Sequence, residues 1–503
     1  MMNRSLSGST ALALICFCTG AQAQVTPEQV WESWQAMSTG VGQELTVGSA
    51  TRNGDTLEVT GLAITMKDAT GGSFTANLDT LNFTDLGDGT VKVTMADTYP
   101  VAITMASQDG GPTAMTFTVS QPGISIIAGG SATETSYDFV APTVSVKVDQ
   151  IKDDTGAPVD ATADIVMTTV AAKYLVAKTG EATALDSSFS AKSMAVSVVG
   201  KDADTSTDLK LALSFADLAG TSKGNFLGAE IMSNMAAALN AGFTTDADFS
   251  FGAMTLDLDV TEAGAPTKAT GTATGGGLVL AMDKASVSYG TSLTGAAFTM
   301  SGAQIPFPQL TLAFAESGFN VLIPVSKSDT PQDFAFLTKL VDFTVSDEVW
   351  GMVDPGGTLS REPATIILDT KGTGFWTQDI MDPNAAMDGV EPPGELTSLD
   401  ITQVLVKAAG AEVGATGALT FDNTDLVSFQ GMPAPTGTID VTIKGVNTLI
   451  DNLIAIGILP EDQAMGARMM LGMFARPGAG PDELTSTLEF KDKGFFANGQ
   501  QLQ

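Results

Sequence analysis

The chain has 503 residues, of which 57 are acidic and 24 are basic, so its formal net charge is −33. A charge of this size and sign repels nucleic acid and anionic lipid head groups, and it helps to keep a protein rich in β-strands soluble. The sequence contains no histidine, which excludes a Ser–His–Asp triad and histidine-ligated haem. A hydrophobic fraction of 44% with 16% charged residues indicates a folded globular chain.

The first 23 residues have the organisation of a secretory signal peptide. Arg4 supplies a weak basic n-region, residues 11–17 form the apolar h-region, and Ala21-Gln22-Ala23 has the small-x-small pattern that precedes a cleavage site. Cys16 and Cys18, the two cysteines of the chain, lie before this site, so the exported form has no thiol for a disulfide or a zinc ligand. We expect export, with the periplasm as the destination and secretion as the alternative.

Local sequence also argues against a membrane span and against a phosphate-binding loop. After the signal peptide, the best candidate for a membrane span is residues 446–459, which are too few to cross a bilayer and include Asp451. No phosphate-binding loop is present, since the Gly200-Lys201 pair is followed by Asp202 rather than by Ser or Thr. We expect no membrane span in the exported chain, no nucleic-acid partner and no cofactor.

Residues 56–105 show the pattern that the rest of the chain repeats. Apolar and polar residues alternate in short runs separated by turn signals. A period of two places the apolar residues on one face of an antiparallel meander and the polar residues on the other. The period slips between Val59 and Leu62 and again between Leu78 and Leu81, which predicts β-bulges that bend the sheet.

The helices predicted between these strands are few and short. The first begins after Thr26 with a capping-box spacing. Its Trp31 and Trp34 are predicted to cover the open end of the following sheet, with stacking against a ligand as the alternative. The apolar spacing predicts further helices at residues 227–241, 331–340, 347–352, 447–457 and 460–477. Residues 264–277 are predicted to be irregular. Residues 379–394 are predicted to be a surface loop, with a lid or a partner contact as the alternative.

The predicted fold is therefore mainly β: elongated, curved antiparallel meander sheets with a few short amphipathic helices. So few helices cannot cover the apolar side of so many strands. Either two sheets face each other as a sandwich, or one strongly curved sheet stays open as a groove. We divide the chain into a signal peptide (1–23), an N-terminal β-rich region (24–225), a middle region (226–360) and a C-terminal region with a helix pair and a closing hairpin (361–503).

Three stretches carry a resemblance to a known family. Residues 347–355 (DEVWGMVDP), residues 417–422 (GALTFD) and the strand–glycine–helix run at 435–460 resemble domain-of-unknown-function family 2125, an exported alphaproteobacterial family. The resemblance implies an exported location and a similar architecture, and it carries no catalytic motif. The alternating pattern also resembles, in texture alone, the long β-groove envelope proteins of the AsmA group.

The apolar face of the first meander is the main candidate for a functional site. An open groove with such a face would suit acyl chains, and methionine adapts to irregular ligands. The residues of this predicted ligand face are Leu62, Ile64, Met66, Val93, Met95, Ile103 and Met105. In a closed fold the same residues would be ordinary core.

Carboxylates are the remaining source of chemistry in the chain. Close pairs such as Asp153-Asp154, or Asp257 and Asp259, arise by chance among so many acidic residues. We assign no catalytic and no metal-binding residue, and we leave calcium binding open. Three hypotheses follow: a non-enzymatic exported protein that binds a lipid or another apolar ligand, an envelope scaffold or protein-interaction module, and a carboxylate glycosidase.

Overall fold

The structure, a computed structural model, describes residues 24–40, 42–67, 71–105, 113–131, 133–179, 182–202, 206–382 and 394–503. The predicted signal peptide and most of the predicted loop at 379–394 lie outside these residues. Within them the strands form one hydrogen-bonded antiparallel sheet. The predicted mainly β fold is confirmed.

The strands as far as residue 226 are β1 (Glu44–Thr46), β2 (Ser49–Asn53), β3 (Thr56–Lys67), β4 (Ser73–Asp85), β5 (Val91–Met95), β6 (Thr98–Met105), β7 (Thr113–Ser120), β8 (Ser125–Gly130), β9 (Glu134–Lys152), β10 (Pro158–Thr179), β11 (Ala182–Asp202) and β12 (Thr207–Phe226). Alternation of side chains and closely spaced turn residues produce these hairpins, as the sequence predicted.

The strands after residue 226 are β13 (Thr245–Phe251), β14 (Met254–Glu262), β15 (Ala265–Ala273), β16 (Gly275–Met282), β17 (Ser286–Gly302), β18 (Leu310–Pro324), β19 (Gln332–Val345), β20 (Ala364–Trp376), β21 (Gly394–Ala408), β22 (Ala411–Asp422), β23 (Ala434–Lys444), β24 (Arg476–Pro477), β25 (Glu483–Lys491), β26 (Gly494–Ala497) and β27 (Gln500–Gln501). The helices are α1 (Pro27–Gly40), α2 (Ala229–Met232), α3 (Met235–Asn240), α4 (Asp347–Val353), α5 (Val446–Ala455) and α6 (Glu461–Phe474).

Most successive strands pair with each other, and several short strands lie end to end against one longer strand. β4 pairs with both β5 and β6, β9 with both β7 and β8, and β12 with both β13 and β14. Hydrogen bonding continues across the predicted boundaries at 225/226 and 360/361, through β12–β13 and β19–β20. The division into regions stays a prediction.

A line of bulges crosses the sheet from β3 to β19, and we call it the bulge line. Six of its residues have positive φ inside long strands: Gly61, Asp79, Thr169, Asp217, Gly295 and Asp342. The cross-strand pairing is interrupted at the same level, for example at Thr169, between the Thr168–Thr143 and Val170–Ala141 pairs. The two bulges predicted at 59–62 and 78–81 are its first members. Since each bulge bends its strand, the aligned bulges fold the sheet along this line.

Cross-strand ion pairs on the polar face fix the register of the strands. Lys173 faces Asp138 with 3.0 Å between their charged atoms, and Asp186 faces Lys223, also at 3.0 Å. Each exposed pair contributes at most about 1 kcal/mol. A slip of one residue would place these charges on the apolar face. The charged residues therefore mainly disfavour the shifted register.

The helix α1 covers the apolar side of the first strands. Its capping box forms as predicted: the Gln29 N–H donates to Thr26 Oγ1 (3.3 Å), and the Thr26 N–H donates to Gln29 Oε1 (3.0 Å). The Trp34 ring lies 5.6 Å from Phe83 of β4 and 6.5 Å from Tyr137 of β9. Because β5 and β8 lie between those two strands, one side chain reaches both rings only if the sheet curves around α1. The predicted covering role of the tryptophans is confirmed.

The helices α5 and α6 lie at the opposite end of the sheet. The Asp482 carboxylate caps α5 from outside the helix, accepting from the N–H groups of Asn447 (3.1 Å) and Thr448 (2.8 Å). The C-terminal carbonyl of α6, on Phe474, accepts a hydrogen bond from the Ser486 hydroxyl in β25. Since Ser486 belongs to the apolar face described below, this helix pair covers the last strands as α1 covers the first.

Several local predictions are wrong. Residues 332–340 of the predicted helix at 331–340 belong to the strand β19, in which Phe334 and Phe336 alternate with side chains of the opposite face. Residues 264–277 are not irregular but supply β15 and the start of β16. The helix predicted at 227–241 is two short helices, since the Asn234 side chain accepts from Ala237 N–H (3.1 Å) and starts a second one. The helix predicted at 447–457 begins one residue earlier, at Val446, and its N-cap residue is Gly445 rather than Asn447.

Candidate functional site

The apolar face of the sheet is a set of side-chain rows that cross many strands. One row lies on one side of the bulge line and consists of Val146, Ile165, Val196, Leu213, Leu256, Gly271, Phe298, Leu312 and Val345. We call it the upper row. Each member is the direct cross-strand partner of the next, so the apolar contact between neighbours is continuous.

Two longer rows lie on the other side of the bulge line. The first lower row is Ala172, Phe189, Gly220, Phe249, Leu278, Thr291, Phe319, Thr338, Leu368, Val404, Ala415, Val441 and Ser486. The second is Tyr137, Tyr174, Ser187, Ser222, Ala247, Leu280, Tyr289, Val321, Phe336, Thr370, Ile401, Gly417, Ile439 and Leu488. At about 4.8 Å between strands, the first of them is roughly 58 Å long.

Small buried residues form the floor between the upper and lower rows. Ala141, Val170, Ala191 and Leu218 make one cluster along the bulge line, and Met167 and Phe215 pack against it from the upper side. The upper and lower rows therefore belong to the same face of the sheet. Further along the line, Ala273 and Ala296 are likewise buried.

The middle of this face is uncovered. Phe249, Leu278, Tyr289 and Phe319 are each 37–38% exposed, although they point to the apolar side of the sheet. In the part of the chain that the structure describes, α1 covers the first strands and α5–α6 the last. The alternative that the sequence left open is thus resolved in favour of an open face over β11–β21, a distance of roughly 40 Å.

The predicted ligand residues divide between core and rim. Leu62 and Val93 are fully buried in the cluster beneath α1, and Met95 packs against it while its sulfur accepts from Gln121 Nε2 (2.8 Å). Leu62 and Val93 are therefore not accessible to a ligand, and Met95 is partly buried beside them. Met66 and Met105 lie at the rim, 44% and 45% exposed.

Ile64 and Ile103, the other two predicted ligand residues, line a cavity. Its volume is about 390 Å³, and Phe74, Val101 and Phe117 share the lining. The cavity spans neighbouring strands on one face, which requires that face to be concave. The structure therefore brings together two of the seven predicted residues at a site that a ligand can enter.

Two more cavities lie on the apolar face, outside the segment that the sequence singled out. One of about 430 Å³ is lined by Met37 of α1, Val176, Leu185 and Phe243. The other, of about 440 Å³, lies between β18 and β21 and is lined by residues that include Val321, Phe336, Trp376 and Leu396. The alternation in these strands could have indicated them, but the helix predicted at 331–340 hid the second.

Two of the four carboxylates considered for chemistry, Asp153 and Asp259, have structural partners. Asp259 forms an ion pair with Lys268 (3.1 Å) on the polar face. Asp153 accepts from the Thr155 hydroxyl (2.7 Å) and from two backbone N–H groups in a turn, and these bonds lower the pKa of its carboxyl, the hydroxyl foremost. Among the described residues, no group of three or more Asp, Glu, His or Cys side chains could hold a metal ion.

None of the helices in the described ranges is long and apolar enough to cross a membrane.

Comparison with known proteins gives one match. Residues 355–497 match the family described as "Uncharacterized protein conserved in bacteria (DUF2125)". The resemblance predicted from the sequence is confirmed for this segment, which runs from the turn after α4 to the end of β26; of the three stretches, 417–422 and 435–460 lie inside it. The alphaproteobacterial origin and the likeness to the AsmA group stay predictions. No curated protein and no solved structure matches the chain.

Proposed function

We propose that the protein is a non-enzymatic, exported binder of lipids or similarly apolar ligands, with the periplasm as its compartment. The observation that supports this most directly is the uncovered apolar face between α1 and the α5–α6 pair. Large side chains there keep more than a third of their surface in water, while the polar side carries the cross-strand ion pairs.

A ligand that covered this face would gain free energy, because it would remove apolar side chains from contact with water. Full burial of a Leu or Phe side chain is worth about 1.5–3 kcal/mol, so covering the last third contributes about 0.5–1 kcal/mol per residue. Summed over the rows, an acyl chain would gain several kcal/mol. Methionines at the rim, such as Met300, can adapt to different ligands.

Two neighbouring residues give a matched test of the proposal. Leu278 lies on the apolar face and is 37% exposed, whereas Val279 lies on the polar face and is 38% exposed. Burying an unpaired carboxylate under a ligand is costly. We expect Leu278→Asp to reduce the lipid that co-purifies from the native host at least twofold and Val279→Asp to leave it unchanged, as measured by native mass spectrometry and solvent extraction. Wild-type protein that carries no lipid would refute the proposal.

A second candidate function is docking to a partner protein, and α6 favours it. Its Met465, Met469, Met470 and Met473 side chains are 57–72% exposed, at spacings that place three of them along one stripe of the helix. A partner held by these side chains should remain bound in 1 M salt, whereas a partner held by the acidic surface should be lost. Co-purification of wild type and a Met469→Ser/Met473→Ser variant at low and high salt tests this; equal recovery of every partner by both proteins refutes it.

A further inference from the structure

The exposed side of α6 carries a concentration of methionine found nowhere else in the chain. The chain has 22 methionines in 503 residues, about one per 23, yet Met465, Met469, Met470 and Met473 fall within nine residues of each other. Their side chains are 57–72% exposed. A single exposed apolar side chain is ordinary, but a contiguous group of them marks a binding surface.

Three of these methionines share one turn of the helix. Met473 follows Met470 by three residues and Met469 by four, spacings at which the Cβ atoms are about 5–6 Å apart. With 3.6 residues per turn, Met473 lies about 40° from Met469 and about 60° from Met470 around the helix axis. The unbranched methionine side chain has three rotatable bonds. The three sulfur atoms can therefore converge on one point outside the helix.

The space around these sulfur atoms is open, and its electrostatics favour a cation. Gly466 and Gly472 are neighbours of the three methionines along α6, and a Cβ added at either glycine would meet nothing within 4 Å. Arg468, the basic residue of α6, is directed towards α5, where its guanidinium donates to Asp451 Oδ1 (2.6 Å). Its charge is thereby balanced, and the net charge of −33 attracts cations to the chain as a whole.

The donor atoms decide which cation fits this point. Thioether sulfur is a soft ligand that selects copper(I), whereas calcium and magnesium take oxygen ligands. After residue 23 the chain has no histidine and no cysteine, so methionine is the soft donor that it offers. We propose that Met469, Met470 and Met473 form a binding site for copper(I) or an equivalent soft monovalent cation. This site goes beyond the proposed function, because it requires neither a lipid nor a protein partner.

Silver(I) is the probe for this site, because it shares the charge and the sulfur preference of copper(I) and undergoes no redox change. The full chain carries Cys16→Ser and Cys18→Ser, so that no thiol competes, and is titrated with silver nitrate in chloride-free buffer under native mass spectrometry. We expect one bound ion. Met469→Leu/Met470→Leu/Met473→Leu should weaken its binding at least tenfold, equivalent to 1.4 kcal/mol, since leucine keeps the volume of methionine but has no sulfur.

Three exposed methionines on separate elements provide the matched control. Met66, Met300 and Met352 are 44%, 37% and 64% exposed and belong to β3, β17 and α4. Their replacement by leucine should leave silver binding unchanged. Equal silver binding by the parent chain and by the α6 leucine variant would overturn the inference, and so would an equal loss in the control variant.

Oxidation by hydrogen peroxide shows where the ion sits. Trypsin cleaves after Arg468 and so releases Met469, Met470 and Met473 in one peptide, separate from Met352. A thioether that holds a metal ion is a poorer nucleophile towards peroxide, so silver should slow sulfoxide formation in this peptide at least threefold and leave Met352 unchanged. Equal oxidation of the peptide with and without silver would refute the site.

The leucine variant also separates this site from the docking of a protein partner to α6. Leucine retains apolar contact, so a partner held by burial should still co-purify with it, whereas the silver ion should be lost. The two ideas can therefore fail independently.

Discussion

The covered end beneath α1 and the open middle of the sheet are built from the same sequence pattern but differ in burial. Phe83 and Val93 of the covered end are completely buried, while Phe249 and Phe319 of the middle are more than a third exposed. All four belong to alternating strands. Alternation thus determines which way a side chain points, and a separate element decides whether anything covers it.

The largest expected contrast between these regions is in stability. Phe83→Ala should lower the free energy of unfolding by about 3–5 kcal/mol, because it leaves a cavity between Trp31 and Trp34. Phe319→Ala should cost less than half of that, since its ring is 37% exposed. Urea denaturation of both variants measures the difference. Equal losses would mean that the middle is as well covered as the end.

Tyr137 allows the burial beneath α1 to be tested by pH. Burial raises the pKa of its hydroxyl to about 12, while the nearby Ser33 and Trp34 side chains lower it in part. Among the described residues, no group makes a hydrogen bond of good geometry to this oxygen. The neutral form is therefore favoured in the folded state. This contribution is complete below the unfolded pKa of about 10 and is lost as the pH rises towards 12.

We expect Tyr137→Phe to be neutral or stabilising by about 1 kcal/mol at pH 8, because it removes an unsatisfied buried group. Its advantage over wild type should grow by about 2–3 kcal/mol between pH 10 and pH 12, since two pKa units correspond to that energy. Denaturation at fixed pH values measures both. An advantage that does not change with pH would show that the hydroxyl is reached by water.

Much of the covered end was predictable from sequence, and most of the open middle was not. Local signals are short-range: the Thr26–Gln29 capping box and the slips around Gly61 and Asp79 could be recognised from adjacent residues. Coverage depends on which distant helix meets which strand, and no local pattern encodes this. The predicted ligand residues accordingly lay next to α1, where Leu62 and Val93 are core, whereas the accessible face lay around Leu278.

The bulge line crosses both regions, and a substitution at Gly295 tests how much its backbone conformation contributes to stability in the open middle. Its φ is +54°, and an added Cβ would press against the Thr274 side chain. Gly295→Ala should cost about 1–3 kcal/mol from backbone strain and crowding together. Gly264→Ala is the control, because its φ is also positive (+83°) but nothing lies within 4 Å of the added Cβ. Equal losses in the two variants would mean that the line tolerates reshaping.

The smallest effect concerns the second covered end, where Asp482 caps α5. Burial raises the pKa of this carboxyl, but the hydrogen bonds from Thr448 and Asn447 outweigh it, so the net shift is downward. The stabilisation is therefore complete well above the unfolded pKa of about 3.9 and is lost as the pH falls through the lower folded value.

Asp482→Ala should lower the free energy of unfolding by about 1 kcal/mol at pH 7, as loss of a helix cap does, and the difference from wild type should disappear below pH 4. Fluorescence-monitored urea titrations at pH 7 and pH 3 measure the gap; a gap that persists at pH 3 would mean that Asp482 acts by packing rather than by charge. Because α5 and α6 are held by this cap at one end and by Ser486 at the other, its loss should also loosen the boundary of the open face.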